Sequence, residues 1–205
     1  HLVVADEKNS TGFFPSGTGM VAVTPISYRL SDGRILDADI ILNARDWFFS
    51  TDLSQDTFDI QDIVTHEAGH LIGLDHSPSL SSSMWPYVSA SQWLHRSLSA
   101  DDKAGAVALK PYGGDSRLNG RVLSPQGGGL SSAVIGIVNV HDGRQMTTVL
   151  SEPNGNWTVR GLEAGDYWVY VTPLEGGMGE SNLTGDNPVD INFSADFYGG
   201  YQSPY

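Results

Sequence analysis

The run His66-Glu67-Ala68-Gly69-His70-Leu71-Ile72-Gly73-Leu74-Asp75-His76 constrains this chain more than any other stretch of it. From Ile60 to Ile72 the apolar residues Ile60, Ile63, Val64, Ala68, Leu71 and Ile72 recur at three- and four-residue steps. That period belongs to a helix with one buried face. His66 and His70 are then one turn apart, about 6 Å along the axis, so both imidazoles project from one side and can grip a single ion. His76 is too far along to share that face, so the chain must turn back to deliver it. Gly73 permits the turn because it adopts a positive φ without a Cβ clash. Asp56, Thr57 and Asp59 are candidate helix caps.

Three imidazoles leave the fourth position of a tetrahedral zinc ion open to water, as in a catalytic rather than a structural site. Zinc lowers the pKa of its water to about 7, and Glu67 is placed to take the proton and pass it to a leaving amine. His66, His70 and His76 are the expected metal ligands and Glu67 the expected catalytic base. Two histidines and a glutamate on a helix arise by accident often enough to mean little alone. All five fixed positions would match by chance in on the order of one chain in ten thousand of this length.

The rest of the composition narrows the setting. The formal net charge of −13 over 205 residues repels nucleic acid and anionic membranes at long range, so neither is an expected partner. The same carboxylates make Ca²⁺ a further candidate ion, since it takes oxygen ligands. With no cysteine, zinc has only His, Asp and Glu to bind. No apolar run approaches the ~20 residues that span a bilayer. The start at His1, without Met or a signal peptide, reads as a piece of a longer precursor.

Val21 to Tyr28 and Ile35 to Leu42 read as neighbouring strands around a Ser31-Asp32-Gly33 turn, with Leu2 to Ala5 as another. A second helix is expected over Ala100 to Leu109, capped by Ser99, with Asp101 and Asp102 at its positive end and Ala104, Val107 and Ala108 inward. Pro111 to Asp115 reads as a linker. Beyond it, strand-like runs at Leu118 to Leu123, Ala133 to Val140, Trp157 to Val159 and Tyr167 to Thr172, separated by turn signals, predict an antiparallel sandwich. His1, His95 and His141 have no partner at ligand spacing and read as ordinary surface or loop residues. Trp85, Tyr87 and Trp93 fit a pocket rim and a core equally well.

The run from His66 to His76 resembles the metzincin motif, and Ser82-Ser83-Met84-Trp85-Pro86 resembles the Met-turn that follows it. Within that clan the chain is similar to matrixins, on Ser77, on Leu98 to Asp102 with Gly105 and Tyr112-Gly113, and on Ala38-Asp39-Ile40. The resemblance implies an α+β catalytic domain, with a twisted mixed sheet, an active-site helix and a C-terminal helix, over residues 1–113. It implies Met84 as an apolar floor under the metal, a buried contact to the Met-turn from one of Asp101 and Asp102, and Ile35 to Asn43 as an edge strand for an extended substrate.

Three departures accompany it. The family's strand and long helix before the His1 segment are missing here, so the domain reads as truncated at its N-terminus. Asp6 to Gly19 lacks the histidines of the family's structural zinc, so one zinc is expected. Tyr87 directly follows Pro86, so cleavage preference does not transfer.

Residues 116–205, through Gly120-Arg121-Val122, Asn154 to Trp157 and Gly161 to Tyr167, resemble the carboxypeptidase regulatory-like (transthyretin-like) β-sandwich. The expected function is a secreted, zinc-dependent endopeptidase acting on extracellular protein or peptide substrates, with oligomeric state open. The alternative is a non-catalytic adhesion or matrix-binding protein with a remnant peptidase domain.

Overall fold

The computed structural model describes residues 2–5, 14, 19–109, 116–174 and 183–198. The chain divides into two compact units, one of His1–Asp75 with Ser83–Leu98 and one of His76–Ser82 with Ser99–Tyr205.

In the first unit, β5 (Ile40–Asn43) lies between β1 (Leu2–Ala5), which it pairs in parallel, and β2 (Ala22–Val23), which it pairs antiparallel. β3 (Ile26–Tyr28) and β4 (Ile35–Ala38) form a separate antiparallel hairpin. The runs Val21 to Tyr28 and Ile35 to Leu42 are therefore each split in two, whereas Leu2 to Ala5 forms the strand expected. The breaks face each other: Pro25 has no N–H to offer a ladder, and its carbonyl accepts from the Asp39 N–H at 3.3 Å. All four residues of β5 are buried, and strands cover both its sides. The expectation of one edge strand from Ile35 to Asn43 is corrected accordingly, because β1 and β2 occupy both sides of β5; among the described residues it is the β4 half that lies at a sheet edge.

Helix α1 spans Ile60–Ile72. Asp59, at the end of the short strand β7 (Phe58–Asp59) that pairs with β6 (Phe49–Ser50), caps it by accepting the Asp62 N–H at 2.9 Å. Gly73, at φ 102°, ends it and sends its N–H back to the Gly69 and His70 carbonyls. Ile63 packs with Ile40, Leu42 and Phe58, flanked by Ile60, Val64 and Leu71. Burying each such side chain contributes roughly 1.5–3 kcal/mol. Ala68 and Ile72 depart from the expected inward face and are exposed, while Glu67 and Gly69 are buried.

In the second unit, α2 (Ala100–Ala108) starts at a capping box, in which Ser99 accepts from the Asp102 N–H and Asp102 from the Ser99 N–H. Ala104 faces inward as expected, but Ala108 is exposed. The strands that follow are β8 (Arg117–Arg121), β9 (Val134–Asn139), β10 (Gln145–Leu150), β11 (Asn156–Arg160), β12 (Tyr167–Thr172) and β13 (Asp196–Phe197). They form an antiparallel sheet in the order β10-β9-β12-β13 and an antiparallel pair β11-β8. Ile135 and Ile137 of β9 meet Trp157 and Val159 of β11 in one buried cluster, the core expected of a sandwich. Trp157 lies across from Gly120, whose bare Cα the indole covers; an added Cβ would stand 2.6 Å from the ring. Strands β10 and β13 have no counterpart in the sequence reading.

Candidate metal centre

One turn of α1 separates His66 from His70, and their rings meet edge to face with centroids 4.7 Å apart. Their Nε2 atoms are 3.1 Å from each other. The turn at Gly73 returns the chain, and His66, His70 and His76 each offer a ring nitrogen within 4.8 Å of the other two. Among the described residues this is the group of three or more His, Cys, Asp or Glu side chains able to hold a metal ion. No acidic cluster suited to Ca²⁺ accompanies it there.

The partners of the two helical imidazoles fit metal binding. Nδ1 of His66 is 2.7 Å from the Ser83 carbonyl, and Nδ1 of His70 is 2.9 Å from the Leu74 carbonyl. A carbonyl accepts only, so each Nδ1 carries a proton, and in a neutral ring the lone pair then lies on Nε2. Two such lone pairs at 3.1 Å repel each other unless a cation lies against both. The donor set therefore suits a divalent ion that accepts neutral imidazoles, zinc among them.

Glu67 follows the first histidine and is buried. The Thr24 hydroxyl, at the junction of β2 and β3, lies 2.6 Å from Glu67 Oε2 and donates to it. The Glu67 carbonyl is within 3.2 Å of the same hydroxyl. Thr24 was not read as part of the site; 43 residues separate it from Glu67, and no local spacing connects them.

Met84 is almost wholly buried, and its Sδ would lie 2.1 Å from a Cβ built on Gly69. The glycine between the two helical histidines is thus the place where Met84 presses on α1. Ser82, on the same turn, donates to Asp102 of α2, so the contact expected of the Asp101-Asp102 pair falls to Asp102.

The start of α1 is fixed by two carboxylates, Asp59 in an ion pair with Arg96 and Asp62 in contact with His95. Arg96 donates twice to the fully buried Asp59. That hydrogen bond holds the Asp59 carboxyl below the ordinary carboxylate range. Asp62 accepts the His95 N–H at 3.2 Å and faces its imidazole at 3.6 Å. Burial raises the Asp62 pKa. His95 lies in a turn, as read, but not at the surface, since its side chain is buried against this carboxylate. His141 is exposed, and His1 lies outside the described residues. Trp85 and Tyr87 are half-buried and meet edge to face at 5.7 Å, whereas Trp93 is 52% exposed with Arg96 stacked over its ring, so it is not core.

A histidine pair on a capped helix with a third histidine beyond its glycine stop is an arrangement able to hold a metal ion. The matrixin family model matches residues 19–111, and the carboxypeptidase regulatory-like domain model matches residues 117–195. The first part of the chain is thus similar to matrixins and the second to carboxypeptidase regulatory-like domains. Metalloendoproteinase 1-MMP of Arabidopsis thaliana is 34% identical over 104 residues, which cover 49% of this chain and 26% of that protein. The chain matches only about a quarter of that curated relative's length. No solved structure matches it.

Proposed function

We propose that the chain is a secreted zinc-dependent endopeptidase that cleaves extracellular proteins or peptides, with residues 1–113 as its peptidase domain and 116–205 as its sandwich. The observation that carries this is the convergence of three imidazoles within 4.8 Å, one of them adjacent in sequence to a buried glutamate. His66, His70 and His76 would hold the ion through ring nitrogens. A bound zinc supplies Lewis acidity toward the scissile carbonyl and toward water.

The remaining work falls to this chain's own groups. Glu67 takes a proton from the attacking water on a carboxylate oxygen and gives it to the departing amine, which separates the two halves of the substrate. Thr24 holds that carboxylate in one rotamer. The Ser83 and Leu74 carbonyls keep the protons of His66 and His70 on Nδ1, away from the ion. An extended substrate would find a backbone to pair with along β4 rather than β5.

The rival reading is an adhesion or matrix-binding protein with a remnant peptidase domain. It gives no reason for a glutamate to be buried and hydrogen-bonded beside the histidines. The two part in one assay: unfolded protein substrates incubated with the wild-type chain, with and without a zinc chelator, and with Glu67→Ala. The enzyme reading expects cleavage that the chelator and the mutation each abolish. Zinc-loaded protein that turns over nothing in a broad peptide library would establish the remnant instead.

A further inference from the structure

His76 opens a segment, His76–Ser82, that groups with α2 and the sandwich strands in one compact unit. Ser77, the residue after His76, is buried and donates to Asp101 Oδ2 at 2.6 Å. Its oxygen also accepts the Ser79 N–H at 3.1 Å, which closes the segment into a turn. The other oxygen of the same carboxylate, Asp101 Oδ1, is taken by β10: the Thr147 hydroxyl donates at 2.7 Å and the Thr148 N–H at 2.8 Å. Thr147 and Thr148 are both buried, and Gln145 of the same strand donates to Ser79 at 3.3 Å.

A second feature brings strand and helix together. α2 packs against both β10 and β11. The approach is backbone to backbone just after β11, where a Cβ on Gly161 would stand 2.3 Å from the Ala104 carbonyl oxygen. The β9–β10 ladder also slips register between Gln145 and Thr147, the kind of bulge that re-aims a side chain.

We propose that the carboxypeptidase regulatory-like domain is a positioning element for the third metal ligand, acting from Thr147 and Thr148 through Asp101 to Ser77 beside His76. The inference rests on the metal-centre reading above. A carboxylate with both oxygens engaged cannot swing, and charge-assisted hydrogen bonds are about twice as strong as neutral ones. Residues that orient a ligand from behind typically change metal affinity by roughly 10–100-fold when altered. Thr147 and Asp101 are positioning residues in this sense, and touch neither metal nor substrate.

The test measures zinc affinity of the full chain by competition with a chromophoric chelator, and the visible absorption of the cobalt-substituted protein. Thr147→Val removes one donor at nearly constant volume and is expected to weaken zinc binding about tenfold and alter the cobalt bands. Thr147→Ser keeps the hydroxyl and should restore both. Ile137→Val, a truncation in the sandwich core, lowers the melting temperature without touching the network and should leave zinc affinity unchanged. If Thr147→Val does not fold, Asp101→Asn takes its place with the same expectation.

A folded variant with wild-type zinc affinity and cobalt spectrum overturns the inference. So does an equal loss in Ile137→Val, which would make the effect one of general stability. A wild-type chain that binds no zinc overturns instead the metal-centre reading on which this one stands.

Discussion

The Thr24 hydroxyl donates a 2.6 Å hydrogen bond to Oε2 of Glu67, so the break between β2 and β3 reaches the carboxylate that sits beside the first histidine. The strand that ends at Val23 puts Thr24 there, and Pro25 stops the ladder directly afterwards. A short bond from a neutral donor to a carboxylate fixes both the rotamer and the direction of its lone pairs.

Removing that donor should therefore slow turnover more than it weakens substrate binding. Hydrogen bonds to charged groups contribute about 1.5–3 kcal/mol, which is roughly a 10- to 100-fold fall in kcat for Thr24→Val. Thr24→Ser keeps the hydroxyl and should stay within a few-fold of wild type. Steady-state kinetics on a peptide substrate would check both. An unchanged kcat in the valine variant would mean that Glu67 is held by its other neighbours.

Gly69 is expected to tolerate no side chain. Its absent Cβ is the space that Met84 Sδ occupies, and Met84 is itself enclosed. Gly69→Ala should cost about 1–3 kcal/mol by overpacking, read as a lower melting temperature. Shortening the opposing residue in the double variant Gly69→Ala, Met84→Ala should be less harmful than the sum of the two single changes. Strict additivity would show that the two residues do not press on one another.

Stability on the acid side should depend on Asp59. Its folded pKa lies below the unfolded value of about 3.9, so the stability it contributes is present above that value and is lost as pH falls through the folded one. Asp62 works in the opposite sense: burial raises its pKa, so it opposes folding above its folded value and ceases to do so as pH falls through it. Asp59→Asn keeps a helix-capping oxygen while deleting the charge. In a chelator, so that metal release adds nothing, melting temperatures of this variant between pH 3 and 7 should fall less steeply toward acid than wild type. A steeper fall would contradict the assignment.

Much of the candidate site could be read before any coordinates. The four residues His66, Glu67, His70 and His76 lie within eleven positions, and the helical period with a glycine stop is a local signal that the fold does not override. The helix Ile60–Ile72 and its Asp59 cap follow from the same stretch. What the sequence hid is non-local. That β5 is an interior strand depends on β1, about 38 residues away, pairing along it. Thr24 and Asp101 reach their partners across 43 and 46 residues; nothing local marks Thr24, and Asp101 reads as a helix-start charge with no sign of Thr147. His95 looked idle because its carboxylate, Asp62, lies 33 residues earlier. β10 is different: Thr147, Thr148, Val149 and Leu150 after the Asp142-Gly143 turn carried an ordinary strand signal that the reading passed over.

X-ray absorption at the zinc edge of the stoichiometrically loaded chain bears most directly on the central claim. Three imidazoles with one further oxygen neighbour, falling to two imidazoles in His76→Ala, is the predicted result. A site with two imidazoles in the wild-type chain, or a fourth protein ligand closing the coordination, would contradict the account.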